Sequence, residues 1–119
     1  AFRRVDRPVI RAAALACVLA AVPLWAAAHQ MIVFASVDCE AVTVEAKFSN
    51  GNAVQQADVR VLDGANVLLT TVPIEQDGTA TVQLDSVDHS TGLVIEVDTG
   101  SHDNYWIVTP EDIARKCGS

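Results

Sequence analysis

Apolar and polar residues alternate with a period of two through most of the sequence after residue 30, and turn residues interrupt the alternation about every 8 to 12 residues. The run from Ala41 to Phe48 is an example, because its positions separate into two sets: Val42, Val44, Ala46 and Phe48 on one side, and Thr43, Glu45 and Lys47 on the other. A strand of this kind buries one face and exposes the other. The pattern therefore predicts an antiparallel, all-β fold.

Seven segments of the sequence have this character. They are Met31 to Val37, Ala41 to Phe48, a third strand containing Val59 and Val61, Val67 to Val72, Thr79 to Leu84, a sixth strand containing Leu93, Ile95 and Val97, and Tyr105 to Val108. After the last strand, Thr109 is the expected helix cap, Pro110 suits the first helical position, and Asp112 completes a capping box. We predict a seven-stranded antiparallel β-sandwich of immunoglobulin-like kind with a short C-terminal helix, in one domain over residues 29–119.

The first 28 residues have the composition of a bacterial secretion signal. Four arginines precede an alanine-rich apolar run, and Ala26 and Ala28 provide an A-x-A cleavage site just before His29. An uncleaved anchor is the alternative, but the run is shorter than the usual span of about 20 residues and contains Pro23. Residues 1–28 are therefore predicted to be a signal peptide. The mature protein is expected to be soluble in the periplasm or another extracytoplasmic compartment.

The mature chain would be strongly acidic. Residues 29–119 contain four Lys and Arg against fourteen Asp and Glu, a formal net charge of −10. Such a surface repels phosphates and anionic lipid headgroups, so we expect no nucleic-acid partner. The sequence also lacks a nucleophile elbow, a phosphate-binding glycine loop and an H-E-x-x-H zinc motif, so we expect no enzymatic activity.

Two cysteines lie in the mature region, Cys39 near its start and Cys117 near its end. An oxidising compartment would allow them to form a disulfide that closes a loop around most of the domain. The sequence does not establish whether their Cα atoms come within bonding distance, so the bridged and the free forms both remain open at this point.

Two of the histidines, His29 and His102, suggest a metal-binding site. Cleavage before His29 would place an imidazole and a free amine on one residue, which makes a chelate for a transition metal. His102 lies in the loop before the last strand, so one ion could contact both histidines if the first strand lies beside the last. Asp103 or Asp98 could add an oxygen ligand, and imidazole nitrogens suit Ni, Cu, Co and Zn. The alternative is that both histidines are ordinary surface residues, which is also our interpretation of His89.

Three other residues have a structural interpretation. Tyr105 and Trp106 are consecutive in the seventh strand, so their rings should point to opposite faces, one into the core and one to the surface. Met31 could be a soft ligand for reduced copper, but it begins an apolar strand, and we expect it in the core.

Three stretches of the sequence resemble one family of exported domains. They are HQMIVFA (residues 29–35), EAKFSNG (45–51) and VDTGSHDNYW (97–106), the last followed by TPEDI (109–113). The sequence resembles the small extracytoplasmic accessory domain of nickel/cobalt energy-coupling-factor transporters, and related exported domains of transthyretin-like or carboxypeptidase-regulatory-like fold. The resemblance covers nearly all of the mature chain.

This resemblance implies that His29 and His102 hold a divalent nickel or cobalt ion. The protein would capture or deliver that ion outside the inner membrane, beside a transporter permease. Family members often continue into a C-terminal membrane segment, whereas this sequence ends at Ser119. Cys39 and Cys117 are not part of the family motif, which favours a disulfide over metal ligation for them.

Two functional hypotheses follow. In the first, the protein is an accessory component of nickel or cobalt uptake that binds the metal through His29, His102 and Asp103. In the second, it is a metal-free structural or protein-interaction sandwich of the bacterial envelope whose acidic faces meet a basic partner. A copper histidine brace, as in polysaccharide monooxygenases, is a weaker third hypothesis, because 91 mature residues leave little room for the substrate face and second histidine of such a site.

Overall fold

Residues 29–117, the part of the chain that the computed structural model describes, form seven β-strands and one short α-helix. The strands are β1 (Met31–Val37), β2 (Ala41–Phe48), β3 (Asp58–Asp63), β4 (Leu68–Pro73), β5 (Thr79–Gln83), β6 (Leu93–Asp98) and β7 (Asp103–Val108). A 3-10 turn, Leu84–Ser86, follows β5, and helix α1 spans Pro110–Lys116. The predicted signal peptide over residues 1–28 lies outside the described residues.

The strands form two antiparallel sheets. The smaller sheet has the order β1-β2-β5, and the larger has the order β4-β3-β6-β7. The edge strands β1 and β7 lie next to each other. The prediction of an antiparallel, seven-stranded all-β fold with a short helix at its end is confirmed for this part of the chain. Its finer assignment as immunoglobulin-like or transthyretin-like stays a prediction.

One hydrophobic core lies between the two sheets. It consists of the apolar side chains that alternate with polar ones along the strands and point inward. The fully buried side chains include most of those that the sequence pattern placed inward: Val42, Val44, Val59, Val61, Ile95 and Val97. Phe48, predicted on the same side as Val42, is only partly buried and packs against this core. Thr43, Glu45 and Lys47 on the opposite side of β2 are exposed, as predicted. Each buried aliphatic side chain contributes roughly 1.5 to 3 kcal/mol relative to an exposed one. Met31 is 5% exposed and belongs to this core, as expected.

The bounds of three strands differ from the sequence prediction. The fourth strand is shifted by one residue toward the C-terminus. The fifth ends at Gln83, because Leu84 enters the 3-10 turn, where its N–H donates to Glu40 O at 2.9 Å while its side chain stays buried. The seventh begins two residues early, because its ladder with β6 extends to the pair of Asp98 with Asp103.

Helix α1 begins with the local signals that the sequence predicts. Thr109 Oγ1 accepts a hydrogen bond from Asp112 N–H at 3.1 Å, and the Asp112 carboxylate accepts one from Thr109 N–H at 3.0 Å. These two bonds form the predicted capping box, with Pro110 in the first helical turn. Ile113 is 6% exposed and joins the core. A helix of seven residues is too short to persist alone, so these contacts hold it in place.

A disulfide joins Cys39, in the turn between β1 and β2, to Cys117, the residue after α1. The two Cα atoms are 4.6 Å apart, within the range common for disulfides. The structure therefore contains the bridged form, one of the two forms that the sequence left open. Such a bridge agrees with the predicted export to an oxidising compartment. No helix between residues 29 and 117 has the length and apolar character needed to cross a membrane.

The prediction that one of the two consecutive aromatic rings fills the core is wrong. Tyr105 is 58% exposed and Trp106 is 39% exposed. Trp106 lies on the core side of β7, opposite the buried Ile95, but β7 is an edge strand and the smaller sheet ends beside it at β1. The Trp106 ring therefore packs edge-to-face on Phe34, with ring centroids 5.0 Å apart. It also lines an open groove of about 580 Å³ between β1, β7 and α1.

Acid should weaken this fold through aspartates that accept hydrogen bonds. The Thr79 hydroxyl is the main cause that lowers the pKa of Asp77 below 3.8, and the Thr109 backbone N–H is the main cause that lowers the pKa of Asp112. A depressed folded-state pKa gives stabilisation that is complete above the unfolded-state pKa and is lost as pH falls through the folded-state value.

We therefore expect the free energy of unfolding, measured by urea denaturation, to decline below about pH 4. The decline should be smaller in the double variant Asp77→Asn/Asp112→Asn, because asparagine does not titrate. Identical pH profiles for the two proteins would contradict this account of the turns.

Candidate functional site

His29 and His102, the two histidines that the sequence singles out, line one open depression of about 450 Å³. The other lining residues are their chain neighbours: Gln30, Met31, Ser101, Asp103 and Asn104. The depression lies where the start of β1 meets the loop between β6 and β7. The first strand lies beside the last, as the hypothesis required, and this brings the two histidines to a common surface.

A tight loop presents His102 at the rim of the depression. Thr99 N–H donates to His102 O at 2.9 Å, and His102 N–H donates to Thr99 Oγ1 at 3.0 Å. Asp98 Oδ1 accepts a hydrogen bond from Gly100 N–H at 2.8 Å, which closes the start of the loop. Asp, Thr, Gly and Ser favour such turns because their short side chains bond to nearby backbone groups or leave the backbone free to bend. The backbone at His102 is therefore fixed.

The imidazole of His102 is half-buried and has contacts on two sides. Ser101 Oγ lies 3.1 Å from His102 Nδ1. The Phe48 ring meets the imidazole edge-to-face, with centroids 5.7 Å apart and an interplanar angle of 74°. Because the serine hydroxyl engages Nδ1, Nε2 is the nitrogen that can bind an external ligand.

Asn104 fixes the start of β1 against β7. Its Nδ2 donates to Met31 O at 2.9 Å, and its Oδ1 accepts from Tyr105 N–H at 2.9 Å. From the other side, Ser49 N–H donates to Gln30 O at 2.7 Å. The backbone that follows the first histidine is therefore held on both sides. The sequence interpretation missed Asn104, because its partner carbonyl lies 73 residues away and no local pattern reveals it.

The third proposed ligand, Asp103, is exposed and lines the same depression, whereas Asp98 does not line it. His89 is half-exposed in the loop before β6 and is not part of the depression. Across residues 29–117, no group of three or more His, Cys, Asp or Glu side chains is close enough to hold a metal ion. Two imidazoles and a carboxylate thus line one open rim without being close enough together to form a three-ligand site, and the imidazole nitrogens are donors of a type that suits Ni and Co.

The fold and this depression define a small, two-sheet antiparallel β-protein with two histidines at a shared surface site. No family model, curated protein or solved structure matches the chain.

Proposed function

We propose that the mature protein binds a divalent transition metal, nickel or cobalt, outside the inner membrane and delivers it to a membrane transporter permease. The observation that supports metal binding is that His29 and His102, from opposite ends of the domain, line one depression. Imidazole nitrogens are a donor type that suits these metals.

The donor set includes more than the two imidazoles. If signal cleavage leaves His29 as the first residue, its free amine adds a nitrogen next to its own imidazole. Asp103 can add a carboxylate oxygen, and the acidic chain as a whole attracts cations. The depression is open to solvent, which suits a protein that passes the metal on rather than enclosing it.

Calorimetric titration of the mature protein with Ni(II) or Co(II) tests the proposal. We expect binding near one equivalent, and a loss of affinity of about tenfold or more in His29→Ala and in His102→Ala, because each variant removes a nitrogen donor. His89→Ala is the matched control, since His89 does not line the depression, and should bind as the wild type does. Mass spectrometry must first establish that His29 is the N-terminal residue.

Two further measurements sharpen this test. A variant with one additional alanine before His29 keeps both imidazoles but moves the amine away, so its affinity should fall between those of the wild type and His29→Ala. Binding should also weaken on acidification, because protons compete for the imidazole and amine nitrogens. Absence of binding heat, or equal binding by the double variant His29→Ala/His102→Ala, would refute the proposal.

A further inference from the structure

The outer face of the larger sheet has an apolar end that lies outside the core. Leu62 is opposite Leu68 and Val94, and Val94 is opposite Ile107, so the register places all four side chains on one face. Leu68 is 47% exposed and Ile107 is 55% exposed, whereas Leu62 between their strands is only 9% exposed. Leu62 is nevertheless not part of the core between the sheets. These four residues form a separate apolar cluster on the outside of the protein.

The other end of the same face is acidic. Asp58 is opposite Asp98, and Asp98 is opposite Asp103, so three carboxylates form one row across β3, β6 and β7. Like charges directly opposite each other destabilise a sheet. In the described part of the chain, the ion-paired arginines belong to other carboxylates, Arg60 to Glu96 and Arg115 to Asp112. The row therefore has a charge that a cationic partner could neutralise.

Tyr105 lies between the two ends. Its ring is 58% exposed, and it is opposite Glu96 in the register. Glu96, Asp103 and Tyr105, together with Asn104, line a small depression of about 170 Å³. Glu96 is already ion-paired with Arg60, but the Asp103 carboxylate beside the exposed ring forms an environment that favours the ammonium group of Lys or the guanidinium group of Arg.

We propose that this face, from the apolar cluster at Leu62 to the aspartate row at Asp98, docks a partner protein. The partner surface would place apolar side chains about 13 Å from Lys or Arg side chains, because Ile107 and Asp103 are four steps apart along β7 at about 3.3 Å per step. A second copy of this chain fits the face poorly, since both copies would have the same negative charge. Three rows on four strands make an area smaller than that of a typical stable interface, so the complex should be transient.

A synthetic peptide tests the proposal. It has Leu and Val in one half and Lys and Arg in the other. Binding is measured by fluorescence anisotropy at several salt concentrations. The double variant Leu68→Thr/Ile107→Thr removes the apolar contact. The double variant Asp58→Asn/Asp98→Asn removes two charges, and the new amide oxygen at position 98 can still accept the Gly100 hydrogen bond. Ile32→Thr/Glu45→Gln is the matched control, because it makes the same kinds of change on the exposed face of the smaller sheet.

We expect each double variant on the docking face to weaken peptide binding by about fivefold, and the aspartate variant also to flatten the salt dependence. The control variant should bind as the wild type does, and nickel titration should be unchanged in Leu68→Thr/Ile107→Thr, because neither residue lines the histidine depression. The proposal is wrong if a peptide with Glu in place of Lys and Arg binds equally well, or if the control variant loses as much affinity. It is equally wrong if sedimentation shows a dimer that Leu68→Thr/Ile107→Thr dissociates, because a second copy then occupies the face.

Discussion

Replacing Cys39 and Cys117 together with serine should lower the free energy of unfolding by about 3 to 4 kcal/mol. The bridge spans 78 residues, nearly the whole described domain, and a cross-link over so long a loop removes much conformational freedom from the unfolded chain. For a domain of this size, the melting temperature should fall by about 20 °C. Calorimetry of the oxidised wild type and of the double variant measures both quantities.

The reduced wild type is the control for this variant. If the loss comes from the bridge and not from the serine side chains, a reducing agent should destabilise the wild type to the level of the variant and leave the variant unchanged. A variant as stable as the oxidised wild type would contradict the prediction.

Local unfolding of the double cysteine variant should begin at helix α1. The helix has seven residues, and besides its capping box it is held by one buried side chain, Ile113, and by the bridge that follows it. A helix of this length depends on such tertiary contacts. Hydrogen exchange should therefore show the amides of α1 becoming unprotected in the variant under conditions in which β3 and β6, at the centre of the larger sheet, remain protected.

Strands such as β2 and β3 were predictable because their alternate residues are buried. Val42 and Val44 are separated by the exposed Thr43, and Val59 and Val61 follow the same rule, so a period of two in the sequence becomes one buried row in the sheet. The helix start was predictable for a similar reason, since Thr109 and Asp112 bond to each other's backbone and need no distant partner. Local signals are sufficient where the interaction itself is local.

The exposed aromatic residues were not predictable in this way. Alternation along β7 correctly places Trp106 on the core side, yet the ring is not covered, because the sheet opposite it ends at β1. Whether a strand lies at an edge is a property of the order of strands, which the pattern within one strand does not contain. The same reason explains why the bond from Asn104 to Met31 O was missed.

The histidine pair was only partly predictable from the sequence. The sequence supplied His29 and His102 as candidates, and it supplied the condition under which they could meet, namely that the first strand lies beside the last. It could not supply the contacts that fix their positions, such as Phe48 against the His102 ring. The aspartate row on the outer face also depends on register, since Asp58, Asp98 and Asp103 are far apart in the sequence and adjacent only across paired strands.

Gly78→Ala should destabilise the protein by about 3 kcal/mol. Gly78 has a φ of 86°, a conformation that costs an ordinary residue about 1 to 2 kcal/mol. A Cβ at this position would also lie 2.6 Å from Ala46 O and 3.2 Å from the Ala53 Cβ, and overpacking of this kind typically costs about 1 to 3 kcal/mol. The backbone cannot easily move away, because Ala46 N–H donates to Gly78 O at 2.8 Å. Urea denaturation measures the change.

Gly51→Ala separates the two contributions. Gly51 has a similar φ of 91°, but a Cβ there would have no atom within 4 Å, so this variant should lose only about 1 kcal/mol. The difference between the two variants then measures the close approach of the turn before β5 to the backbone of β2. Equal losses would mean that this turn moves away from Ala46 at little cost. In that case the contact would not fix the path of the chain from β4 into β5.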